Sequence, residues 1–237
     1  MTMLDGIREI VNRTDEQQDE YSLREEMVLI GKRLYDKGLI AATEGNFSVR
    51  LDEERILATP RGMCKAELGV EDLSIIDVRG NHLEGARYVS TEIALHLEVY
   101  RQRKDVRAVV HAHPPHCIAL MLGGEQLDKP ILAENVILLG KIPIAPYATP
   151  STEEVPASIR DYITQTDCIL LDHHGSLTVG RSLREAFYKL EMMEHSAKAY
   201  LLAMQIGQVR ELSRDEIARL MELREKTYRI KWPIIPF

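Results

Sequence analysis

Disulfide chemistry has little to work with in this sequence. Its 237 residues include three cysteines, Cys64, Cys117 and Cys168, set far apart and never in a CxxC spacing. A disulfide framework or a cysteine-built zinc knuckle is therefore not expected, and the odd count fits reduced thiols in a cytoplasm. No apolar run approaches the roughly 20 residues that span a bilayer. The start is polar and acidic, with Asp5, Asp15, Glu16, Asp19 and Glu20, unlike a secretory leader. A cytoplasmic protein without membrane contact is expected. Basic residues are outnumbered, 30 Lys and Arg against 37 Asp and Glu, for a net charge of −7. That balance argues against a nucleic-acid or anionic-membrane surface, although a small anion can still be held locally. The nucleophile and phosphate motifs GxSxG, GxxxxGKS/T and GxGxxG are also missing, which removes the common serine-hydrolase, P-loop and dinucleotide readings.

Aromatic residues are only 5% of the chain, so Leu, Ile, Val and Ala must build the core. The length suits one large domain: a polar N-terminal arm over residues 1–20, then one domain with a C-terminal tail over 21–237. Ser22 to Glu25 reads as a capping box opening a helix, with Leu23, Met27, Ile30 and Leu34 at helical spacing and Gly38 as its stop. A hairpin follows, turning at residues 52–54. Ser90-Thr91-Glu92 reads as a helix start, residues 106–113 as a strand, and Pro114-Pro115 as the entry to another helix. Strands are expected over 142–147 and 168–172, with a helix over 152–164 between them. Ser182 with Glu185, and Ser213 with Glu216, cap the last two helices. Mixed elements without regular βαβ alternation predict α/β layers around a sheet with substantial antiparallel pairing.

Histidine carries the chemical signal. In the strand ending Val110-His111-Ala112-His113, residues two apart share a face, so His111 and His113 can offer two imidazoles to one ion. A third ligand can come from Leu170-Leu171-Asp172-His173-His174-Gly175, an apolar strand ending in two histidines, of which normally one faces a site. Three imidazoles with an open position make a catalytic rather than a structural zinc arrangement, able to polarise a carbonyl. Proton transfer then needs a carboxylate. Glu92, behind the hydroxyls of Ser90 and Thr91 at a helix N-terminus, is the candidate, and the same helix start can bind an anion. Gly45-Asn46 and Thr59-Pro60-Arg61-Gly62 are further candidate anion contacts, although either segment alone reads equally as a turn.

Taken in order and spacing, the segments around Asn46, Arg61-Gly62, Ser90-Thr91-Glu92, His111-Ala112-His113, Pro146-Tyr147 and His173-His174-Gly175 resemble the class II aldolase/adducin-head family, nearest to its fuculose-phosphate type. The resemblance runs over residues 25–228. It implies a three-layer α/β/α sandwich around a largely antiparallel sheet, assembled as a homotetramer with active sites between subunits. It implies zinc, with Mn2+ or Co2+ as substitutes, on His111, His113 and His174, and Glu92 as acid/base and occasional fourth ligand. Asn46, Gly62, Ser90 and Thr91 would fall on a phosphate pocket, and Tyr228 would come to the site from the C-terminal region. The chain departs from the pattern at Arg61, where the aldolases have a small hydroxyl residue, and at Thr91, which replaces a serine. It departs again at Glu134, in the place of a tyrosine proton donor from a neighbouring subunit. The expected activity is reversible aldol cleavage of a ketose phosphate to a dihydroxyacetone-phosphate-like fragment and an aldehyde. A 4-epimerase, a dehydratase, a decarboxylase and a non-catalytic adducin-like assembly module are the rivals.

Overall fold

The computed structural model describes residues 18–237; up to residue 17 the expected polar arm lies outside them. The first helix, α1 (Glu20–Asp36), buries Leu23, Met27, Ile30 and Leu34, the stripe read from the sequence. Its cap is Asp19, whose carboxylate accepts from the Ser22 N–H at 3.0 Å and the Ser22 hydroxyl at 2.9 Å. Ser22 is therefore inside the first turn rather than the cap, because an ionised acceptor three residues earlier outcompetes it.

The chain then lays down β1 (Asn46–Arg50), β2 (Arg55–Ala58), β3 (Ser74–Asp77) and β4 (His82–Glu84) as consecutive antiparallel neighbours. The next helix is α2 (Ile93–Gln102), followed by β5 (Ala108–Ala112), α3 (Pro115–Leu122), α4 (Ala133–Leu138) and β6 (Ile144–Ala145). After α5 (Glu154–Ser158) come β7 (Cys168–Leu171), β8 (Gly175–Gly180), the long α6 (Leu183–Ile206) and α7 (Arg214–Glu222). Two expectations are corrected in extent. The helix expected over 152–164 is confined to α5, with turns following it, and the strand expected over 142–147 is only β6. Helix α4 and strand β8 had no sequence expectation; β8 is completely buried and so lacks the alternation that marks a half-exposed strand.

The eight strands form one sheet in the order β4-β3-β2-β1-β5-β8-β7-β6. Every pairing is antiparallel except β6 with β7. Two aliphatic clusters cover its faces, one joining α1, α3, α4 and α6 to alternate strand residues, the other joining α2 and α5 to the residues between. This is the expected α/β sandwich. Strand β5 sits near the middle, and its C-terminal end carries the histidines.

Candidate metal centre and active site

The β1–β5 register pairs Asn46 directly with His111, and the β5–β8 register pairs His111 with Leu177 and Ala112 with Ser176. His113 follows β5 immediately, its N–H held by the Leu39 carbonyl at 2.9 Å. The β7–β8 turn supplies the third imidazole. His173 adopts a left-handed φ of 54°, which sends its side chain outward, 64% exposed, and leaves His174 facing in at 12%. Gly175 is required beside it: a Cβ there would lie 2.5 Å from the Ala112 carbonyl and 2.5 Å from Cδ2 of His113. The His-His-Gly sequence thus reads as one outward histidine, one inward histidine and a gap for a third.

One ligand atom from each of His111, His113 and His174 lies within 4.8 Å of the others. His111 Nδ1 is 2.9 Å from the Ser176 carbonyl, and His113 Nδ1 is 3.0 Å from a Glu44 carboxylate oxygen. Both partners are acceptors, so both Nδ1 atoms carry the proton and both Nε2 atoms are bare lone pairs. Those two Nε2 atoms stand 3.2 Å apart. With no proton between them they repel unless a cation is shared. Two zinc–nitrogen bonds of about 2.0–2.1 Å at a tetrahedral angle would separate them by about 3.3 Å. The donor set fits a divalent metal, and the Glu44 and Ser176 contacts orient it in the manner of metal-site histidines.

Glu92 stands at the N-terminus of α2, Oε1 3.1 Å from His174 Nε2 and Oε2 3.5 Å from His111 Nε2. Burial opposes its ionisation, but hydrogen bonds from His174 and Asn46 outweigh that and hold the carboxyl well below the usual range. Burial pushes the His111 imidazole down to about 3, keeping it the neutral ligand a metal needs. Asn46 Nδ2 donates to Glu92 Oε2 at 2.8 Å, while its buried Oδ1 has no partner in the chain. One turn along α2, the fully buried His96 shares a 2.7 Å hydrogen bond with Ser48 Oγ, which fixes the helix to the sheet behind Glu92.

The anion-pocket candidates gather at the same end. A bridge between Pro60 and Val89, with the Arg61 N–H donating to the Tyr88 carbonyl at 3.0 Å, brings the 59–62 turn against the approach to α2. Ser90 Oγ accepts from the Glu92 N–H at 3.3 Å, and Thr91 Oγ1 lies 2.9 Å from Ser151 Oγ. Gly62 is in the exposed part of that turn. Arg61 is exposed, its guanidinium 5.8 Å above the Tyr88 ring, and no carboxylate pairs with it among the described residues. Glu134 is exposed on α4, and Tyr228 is half-buried at the end of a π-helical turn, Leu223–Tyr228, that continues α7. No hydrogen bond joins either to the histidine cluster among the described residues. Glu44 and Lys65 escaped the sequence reading. Glu44 stands directly before the Gly45-Asn46 segment, but nothing in one sequence ties it to His113, 69 residues on.

A family model for the class II aldolase and adducin N-terminal domain matches residues 25–201. The chain is 32% identical over 205 residues to a 3-oxo-tetronate 4-phosphate decarboxylase of Pectobacterium atrosepticum, covering 85% of this chain and 93% of that one. It is 34% identical over 199 residues to an L-fuculose phosphate aldolase of Escherichia coli, covering 82% and 89%. Among solved structures it superposes on YgbL of Escherichia coli, described as a putative aldolase/epimerase/decarboxylase. That match has a TM-score of 0.79 at 32% identity and covers 85% of this chain and 98% of that one. An L-fuculose 1-phosphate aldolase gives 0.77 at 30%, covering 85% and 95%. With the family model matching residues 25–201 and relatives of 32–34% identity covered over most of their length, this chain belongs to the class II aldolase/adducin N-terminal domain family.

Proposed function

We propose that the chain is a zinc-dependent aldehyde-lyase that reversibly cleaves a ketose phosphate to a dihydroxyacetone-phosphate-like fragment and an aldehyde. The observation that carries this reading is the pair of bare Nε2 atoms of His111 and His113 converging with His174 beside an ionised Glu92. His111, His113 and His174 would hold the ion, with Glu92 as a further ligand before substrate arrives; Mn2+ or Co2+ would serve in the same donor set. When bound, a divalent metal supplies Lewis-acid polarisation of the substrate carbonyl. The chain does the rest. Ser90, Thr91, Asn46 and the Gly62 turn, with the α2 N-terminus, bind the phosphate and fix the ketone fragment. Asn46 orients Glu92, whose carboxylate removes a carbon-bound proton in the direction of addition and returns it in cleavage. Glu134 or Tyr228 handles the proton at the aldehyde oxygen.

Those last two residues sit on α4 and the π-helical turn Leu223–Tyr228, which pack against each other, and no hydrogen bond links either residue to the histidines among the described residues. A neighbouring copy can bring that edge to the cluster, so a homotetramer with sites between subunits belongs to the same reading. A cytoplasmic location also belongs to it; among the described residues no helix is long and apolar enough to cross a membrane.

Decarboxylation is a second reading, favoured by the similarity to the decarboxylases and by the unpaired Arg61 guanidinium, which suits a carboxylate. Loss of carbon dioxide from a 3-oxo-tetronate 4-phosphate would leave the same three-carbon ketose phosphate that aldol cleavage yields. Only the departing group tells them apart. Metal-loaded enzyme should be given ketose 1- and 5-phosphates and a 3-oxo-tetronate 4-phosphate, with triose phosphate, aldehyde and carbon dioxide measured together. Triose phosphate with equimolar aldehyde is expected. Carbon dioxide in place of aldehyde, or a C4-inverted sugar with no free fragment, would overturn the aldolase assignment.

A further inference from the structure

Lys65 is a lysine that the fold hides almost completely, at 1% exposure. It opens a short 3-10 turn, Lys65–Glu67, packed on α1. That packing is tight enough that a Cβ on Gly31 would meet the Lys65 carbonyl at 2.4 Å, so the helix carries a glycine where the turn lies against it. The side chain runs inward from there. Its Nζ donates to the Thr43 carbonyl at 2.8 Å and to the Met63 carbonyl at 2.8 Å. These carbonyls belong to two different loops. Thr43 lies two residues before Gly45 and three before Asn46, on the way into β1; Met63 directly follows Gly62, on the way out of β2. The two loops are the ones assigned above to the phosphate pocket.

The charge is the unusual part. A buried ammonium ordinarily has a carboxylate partner, because desolvation is otherwise uncompensated. Lys65 has only neutral carbonyls and forms no ion pair among the described residues. Lys189, the other fully enclosed lysine here, shows the usual arrangement, with Asp167 and Glu185 each at 2.6 Å. Burial lowers the Lys65 amine to about 8, opposed by the nearby carboxylate of Glu92.

We propose that Lys65 is a positioning residue for the substrate anion: it clamps the Thr43 and Met63 loops at the spacing the phosphate requires, and the phosphate completes its charge balance. This rests on the phosphate-pocket reading above. The charge lies beneath the loops, out of solvent, where it is screened less than a surface lysine would be. Its direct contacts are to the two loops and not to Glu92, so its effect falls chiefly on binding of the anionic group shared by substrate and product.

Inorganic phosphate, used as a competitive inhibitor of the metal-loaded full chain, tests this. In Lys65→Met the inhibition constant for phosphate and the KM for substrate are expected to rise together by about 10- to 100-fold, as for loss of a charge-assisted interaction. The bound metal and the rate at saturating substrate should stay within about threefold of wild type, since uniform binding is what is removed. Lys65→Gln, which keeps two N–H donors without the charge, should give a smaller rise, and it carries the test if the methionine variant does not fold. Unchanged phosphate inhibition in a folded variant would overturn the proposal. So would a rate and metal content that fall in step with affinity, the mark of a merely structural lysine. If phosphate fails to inhibit wild type at all, the phosphate-pocket reading itself fails, and the role of Lys65 falls with it.

Discussion

At the scale of single residues, Glu92 is where the proposed metal binding and the proposed proton transfer can be separated. Its two oxygens face His174 and His111, and Asn46 holds one of them. An amide in its place keeps the size and much of the hydrogen bonding but cannot accept a proton. Glu92→Gln is expected to retain most of the bound metal, because three imidazoles dominate the affinity, and to lose about 10²- to 10⁴-fold in turnover. Elemental analysis beside a turnover assay checks both halves; near-normal turnover would remove Glu92 from the mechanism. That His111 and His113 share a face was legible because residues two apart on a strand project to the same side, and a second strand ending in His-His-Gly offered a third imidazole. The choice between His173 and His174 was not legible from periodicity, since it depends on a left-handed φ at one turn residue. The partners that set the tautomers were also hidden. One is a backbone carbonyl, at Ser176, which any residue would supply, and the other is Glu44, remote from His113 in sequence.

Among the elements, α1 followed its patterning closely, because it has one buried face and therefore a clear period, whereas the hairpin β1–β2 was marked by its turn residues, both its strands being buried almost throughout. β8 showed no such period, since a strand buried on both faces gives a continuous apolar-to-small run without alternation. Helix α4 is only six residues long, too short for a helical period to stand out. Local propensity also misleads at Gly31, in the middle of α1. A glycine inside a helix ordinarily costs about 0.5–1 kcal/mol relative to alanine, so replacement should stabilise. Here the added Cβ would come 2.4 Å from the Lys65 carbonyl and 3.3 Å from the Phe47 ring. The Lys65–Glu67 turn must move away, and the overpacking cost is expected to exceed the propensity gain, for a net loss of about 1–3 kcal/mol. Urea unfolding of Gly31→Ala tests this; a variant more stable than wild type would show that the turn is free to shift.

Across the whole molecule, the sheet divides the core in two and brings the histidine cluster together at the strand ends where β1, β5 and the β7–β8 turn meet. Behind it, a buried charge network ties the layers together. Lys189 of α6 bonds Asp167 before β7, and Asp167 also receives Arg103 at the end of α2. The C-terminal segment is fastened as well: the Trp232 indole donates to the Leu138 carbonyl at 2.9 Å, and Arg224 donates to the carbonyls of Ile137 and Trp232. The imidazoles themselves are held by strand pairing and by the Ser176 and Glu44 contacts, so removing one should cost metal rather than fold. The direct test of a metal-dependent lyase is therefore to measure bound metal per chain, turnover and thermal unfolding on wild type, chelated and reloaded wild type, and His113→Ala. Chelation should abolish turnover and reloading should restore it. His113→Ala should lose both metal and nearly all turnover while still unfolding cooperatively. Full metal occupancy in His113→Ala, or undiminished turnover in the chelated enzyme, would contradict the account.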